Sequence, residues 1–94
     1  MSLYDRAQTT IALNTAATPV VINMAAFARA FWAEREIGRL EDDVRLDESV
    51  KHSEIRGAAR YRDASISILA IGTGIPFQSW LDTVRAVVLE ERTS

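Results

Sequence analysis

The sequence predicts a small all-α domain of three or four helices, and three observations carry that prediction. Apolar residues recur at three- and four-residue intervals along two long stretches, through Val20, Met24, Phe27 and Phe31 and again through Phe77, Leu81, Val84 and Val88. Prolines stand where helices should begin, at Pro19 and Pro76, and Gly72 and Gly74 stand where one should end. A chain of 94 residues, 48% hydrophobic and 26% charged, has the composition of one folded domain. Only about two thirds of the unfolded surface can be hidden at this size, so an unusually apolar element is hard to bury within a single copy.

Ser2 followed by Asp5 resembles a capping box, and Leu3, Ala7 and Ile11 then recur at helical spacing. A first helix to about Asn14 follows. A hairpin over residues 9–23 competes with it, because TTIALN and PVVIN are rich in β-branched residues and TAAT lies between them. The sequence leaves both open.

Thr18 can cap free amides and Pro19 suits a first helical position, which places the start of the second helix there. Its opening stretch, PVVINMAAFARAFWA, has only Asn23 and Arg29 as clearly polar residues. Two seams run along it. One is bulky, through Val20, Met24, Phe27 and Phe31, while the other begins with the small residues Ala26, Ala30 and Ala33 and continues through Ile37, Leu40 and Val44. Trp32 projects from a further face, below Ala25 and Ala28. Beyond Ala33 a single apolar stripe remains, with Glu34, Glu36, Glu41 and Asp42 outside it. The pairs Glu36 with Arg39 and Glu41 with Arg45 support an exposed helix by a few tenths of a kcal/mol each.

A break is expected near Leu46 to Ser49, where Asp47 or Ser49 can cap a third helix over about residues 50–71, with Ile55, Ala59, Ile66 and Leu69 on one side. ASISILAI also alternates with period two, so a strand over residues 64–71 is the alternative. The last helix is the clearest element. Phe77, Leu81, Val84 and Val88, widened by Trp80 and Val87, oppose Gln78, Asp82 and Arg85, and the polar tail EERTS should fray.

Composition excludes several function classes. Net charge is −2 and the pI is near 5.3, so no global basic field favours a phosphate backbone. The absence of cysteine removes disulfides, thiolate zinc sites and a cysteine nucleophile together. MSLYDRAQTT has neither the basic start nor the apolar run of a signal peptide, and residues 19–33 are too short, with Arg29 inside them, to span a bilayer. A cytoplasmic protein with no membrane partner is expected.

Candidate chemistry is sparse. The GTG of residues 72–74 lacks the third glycine of a dinucleotide fingerprint, since position 77 is Phe, and reads as an inter-helix turn. Asp42, Asp43, Asp47 and Glu48 have the oxygen chemistry of a hard-cation site, but Arg39, Arg45 and Lys51 compete for them and leave a solvated acidic face. His52 stands alone, and Ser65, Ser67 and Ser79 have no histidine at a predictable spacing to activate them. No cofactor or metal is expected.

One segment points to nucleic acid. Over residues 66–85, Ala70, Gly74, Ile75 and Trp80 approximate the small residue, turn glycine and core positions of a helix-turn-helix. Within it, GIPFQSWL resembles the start of the second helix of small ribbon-helix-helix antitoxins, where a similar GIPYQ phrase occurs. The resemblance covers about eight residues and implies a DNA-binding repressor. Under that reading Arg56, Arg60, Arg62, Gln78 and Arg85 contact DNA. Against it, the outer face of the last helix carries one positive and one negative charge, where phosphate contact favours several bases.

The expectation favoured over these is a non-enzymatic protein-interaction module, a small regulatory or inhibitory protein of the kind encoded by bacterial or phage accessory genes. A structural or assembly subunit of a larger complex is the other alternative. Its first partner is itself: two tryptophans and three phenylalanines are hard for a few short helices to enclose, so a homodimer through the second helix is expected, using Val20, Met24, Phe27, Phe31, Ala26, Ala30, Ala33, Ile37 and Leu40. Glu34, Glu41, Asp42, Asp43 and Asp47 then form an acidic face for an unidentified protein partner with a basic surface.

Overall fold

Ser2 opens the first helix as its hydroxyl predicts, with Oγ accepting the Asp5 amide at 3.1 Å, and α1 runs Leu3–Thr15. The computed structural model describes residues 2–15 and 20–93, and among these there are four helices and no strand. The hairpin reading therefore fails over residues 9–15, which complete α1. The expected helix start at Thr18 and Pro19 lies outside the described residues.

The second helix begins later than its apolar run. Val20, Val21, Ile22 and Asn23 are not helical, and α2 spans Met24–Asp42. Three consecutive β-branched residues lose side-chain freedom in a helix. Asn23 supplies the better cap, its Oδ1 accepting the Ala26 amide at 3.1 Å. The Gln8 side chain of α1 also donates to the Val20 carbonyl, which ties this extended stretch to the body of the protein. Because α2 stops at Asp42, Val44 leaves the apolar stripe it was expected to extend and is almost fully exposed.

Asp47 caps α3, its Oδ1 accepting the Ser49 amide at 2.9 Å, and the helix runs Glu48–Thr73 without interruption. The strand alternative for residues 64–71 is thereby overturned: ASISILAI continues a helix already under way and finds no strand to pair with among the described residues. Gly74 ends it in the left-handed conformation, φ 74°, with its amide bonded to the Ala70 carbonyl at 2.9 Å. The GTG segment is thus a helix end and turn. After Pro76, α4 spans Phe77–Thr93. Residues 91–93 of the tail remain helical where fraying was expected. Arg35 of α2 holds Glu91 at 3.4 Å, and the Arg92 guanidinium fills the space that a side chain at Gly38 would otherwise take.

The helices form two layers. α2 and α3 pack as an antiparallel pair, α1 lies against α4, and α4 contacts all three others. The shortest dimension, 19 Å, corresponds to two helix layers. Between them lies the core, centred on Trp80, which is fully buried together with Phe27, Ile66, Val84 and Val87. Trp80 meets Phe27 edge-on with ring centroids 6.2 Å apart, and its Nε1 donates to Thr73 Oγ1 at 3.0 Å. Thr83 is equally buried yet fully satisfied, donating to the Ser79 carbonyl and accepting from Asn14 of α1 at 2.8 Å. No helix among the described residues is long and apolar enough to cross a membrane.

Candidate interaction surface

Three contacts orient α2. Phe27 touches Trp80 of α4, while Glu34 binds Arg62 of α3 at 2.8 Å and approaches Arg85 of α4 at 3.8 Å. On a helix with 3.6 residues per turn, Glu34 projects between the bulky seam and the alanine seam. The bulky seam therefore turns towards α4, and the alanine seam turns towards α3. Both seams are used inside the chain. Ala26, Phe27, Ala30, Phe31, Ala33, Ile37 and Leu40 are buried, and Val20 and Met24 pack partly buried against the core. Of the nine residues expected to join two copies, seven are thus buried within the single copy, and Val20 and Met24 are partly buried against its core.

The charged candidates are redistributed in the same way. Glu34 does not stand on an open acidic face: it is the centre of an ion cluster in which Arg62 also holds Asp63 at 2.9 Å. Burial opposes the charge on Arg62, but the hydrogen bonds it donates to Asp63 and Glu34 outweigh it and hold its pKa above the ordinary value. Arg62 is accordingly buried and unavailable to a phosphate, which corrects its place among the DNA contacts. Arg56 and Arg60 remain exposed on α3, Arg85 leans towards Glu34, and Gln78 donates to Asp82 at 2.9 Å on the outside of α4. The structure brings these residues to no single face.

Of the remaining acids, Asp47 is the cap of α3 and Asp43 accepts the Arg45 amide at 2.9 Å. Both carboxyls are held below the ordinary range, Asp47 by the Ser49 hydroxyl and the amides behind it, Asp43 by the Arg45 amide. Glu41 and Asp42 are exposed beside them at the tip of the α2–α3 pair. His52 lies on the surface, 3.6 Å from Glu48. The acidic tip is therefore largely a pair of helix-end devices.

What the structure leaves open is the outer side of the α2–α3 layer, opposite α4. On α3, Val50, Glu54, Gly57, Tyr61, Ala64, Ile68 and Ile71 follow one another at alternating intervals of four and three, the spacing of a helix–helix seam. The large apolar members are exposed: Val50 by 46%, Tyr61 by 54%, Ile68 by 44% and Ile71 by 86%. Glu54 is the single charged member. Near the end of this stripe, Val21 and Ile22 line a shallow depression with Ile68 and Gly72, so the apolar surface continues from α3 onto the segment that precedes α2. Along α2 the same side presents Ala25, Arg29 and Glu36, bordered by Trp32, which is 56% exposed with the Arg35 guanidinium 4.9 Å from its ring centre.

Sequence reasoning missed this α3 stripe. The alternation through residues 50–71 was available, but the buried side, Ile66 and Leu69, offered a competing apolar stripe on the same helix. No protein-family model, curated protein or solved structure matches the chain.

Proposed function

We propose that this chain is a non-enzymatic protein-interaction module, a small regulatory or inhibitory protein that acts through the open face of its α2–α3 layer. One observation carries the reading: a helix of 26 residues keeps a seam-spaced apolar stripe in water although its opposite side is already packed. Isolated exposed apolar side chains are ordinary, but a contiguous strip of them marks a contact surface. Tyr61, Ile68 and Ile71 supply apolar contact, and Arg29, Glu36 and Arg60 at its margins supply the polar rim such surfaces carry.

The test is capture of binding proteins by the parent chain and by Ile68→Lys, whose exposed position leaves folding intact. A protein retained by the parent and lost by the variant supports the reading. Retention of nuclease-sensitive material that depends on Arg56 and Arg60, and not on Ile68, refutes it in favour of nucleic acid.

A further inference from the structure

We infer that the open face receives a second copy of this chain, antiparallel, about a two-fold axis passing between Tyr61 and Ala64 of α3. The inference rests on the interaction reading above and names the occupant.

The stripe on α3 is self-complementary in size. With two copies of α3 antiparallel and Tyr61 of one opposite Ala64 of the other, Gly57 falls opposite Ile68, and Glu54 falls opposite Ile71 at the rim. Each large side chain of the central layers then meets a small one, and the symmetry repeats every such pair. A parallel pair in register would set Tyr61 against Tyr61 and Gly57 against Gly57, giving collisions alternating with voids. A cavity lining of this kind is costly, so the antiparallel register is the one the side-chain sizes select.

Charge complementarity on α2 obeys the same axis. Arg29 and Glu36 lie one heptad apart on the open side; Arg29 has no ion pair among the described residues, while Glu36 is held by Arg39 of its own helix and would share its carboxylate with a second cation. The hydrogen bond from Arg62 to Glu34 sets the level of the two helices, placing the stretch of α2 between Arg29 and Glu36 beside the centre of the α3 stripe. Rotation about the axis carries Arg29 to the second copy's Glu36 and Glu36 to the second copy's Arg29. Two opposite-charge pairs therefore lie beside the apolar seam, on its α2 side; a register slipped by a heptad would set like charges opposite each other, and a parallel partner would leave both groups without these pairs.

Sedimentation of the full chain across the micromolar range tests this. A reversible monomer–dimer equilibrium is expected. Gly57→Leu is the discriminating variant: a Cβ at Gly57 meets nothing within 4 Å, so leucine fits the single copy and improves the helix, yet it fills the hole for Ile68. The dimer dissociation constant should rise about tenfold or more while the melting temperature of the monomer holds or rises. Arg29→Glu and Glu36→Arg should each weaken pairing, and the double variant should return it to within about threefold of the parent. A parent chain that stays monomeric overturns the self-pairing, as does tighter association of Gly57→Leu. If the monomer still captures a different protein through Ile68, only the identity of the occupant falls; if no association depends on the open face, the interaction reading falls with it.

Discussion

Replacing Ala30 with leucine separates a seam that packs inside the chain from one that packs against another molecule. Ala30 is fully buried, 0% exposed, on the side of α2 that faces α3. Leucine adds three carbon atoms where two helix backbones are brought close by small residues. Overpacking of this kind costs about 1–3 kcal/mol. The connection over residues 43–47 holds α2 and α3 together at one end only, and the helices can part slightly at the other, so a value near the middle, about 2 kcal/mol, is expected. For a domain of this size that lowers Tm by about 8–16 °C, and with a urea dependence of about 1 kcal/mol per molar it lowers the unfolding midpoint by about 2 M. The assay is urea unfolding followed by helical circular dichroism. Ala86→Leu, at an exposed position of α4, serves as the control and should stay within about 0.5 kcal/mol of the parent. An Ala30→Leu protein as stable as that control, but altered in sedimentation, would refute the reasoning, because it would place the alanine seam between copies instead of between α2 and α3.

Other consequences are equally open to measurement. Arg62→Met leaves Glu34 with only the distant Arg85 and should cost about 2 kcal/mol, less than a fully buried pair because the two side chains keep 11% and 17% exposure; adding Glu34→Met should recover most of it in urea titrations. Asn23→Ala should cost about 1 kcal/mol and Asn23→Asp much less, and equal losses from both would remove the capping role. The Asp47 carboxyl is depressed in the folded chain by Ser49, so its stabilisation is complete above the ordinary carboxylate range and is lost as pH falls through the depressed value; the Tm difference between the parent and Asp47→Ala should therefore shrink below about pH 4, and a constant difference would contradict it. Iodide should quench the exposed Trp32 and spare Trp80, so Trp32→Phe should leave a blue-shifted emission that resists quenching.

The helices and most of their ends were legible in the residue order. Ser2, Asp47 and Gly74 act through bonds that span only a few residues, so their roles survive any tertiary arrangement. The apolar side of α4 was equally readable, since one stripe on a short helix has one thing to do. The start of α2 was not: Pro19 offered a helix signal, but the β-branched run after it and the cap at Asn23 carried the decision. Arg56, Arg60 and Arg62 looked like one basic group in sequence, yet at 100° per residue Arg62 projects far from the other two, towards Glu34.

By itself the sequence pointed to a helical domain and to two distinct seams on α2, while the hairpin and strand alternatives were closed only by the helices seen over the described residues. Only the tertiary structure decided what each seam touches. Periodicity reports that a face is apolar because that property is local, but burial depends on which neighbour arrives, and that follows from how four helices divide into two layers. Once the buried residues of both α2 seams are packed within the single copy, the apolar stripe left exposed is on α3.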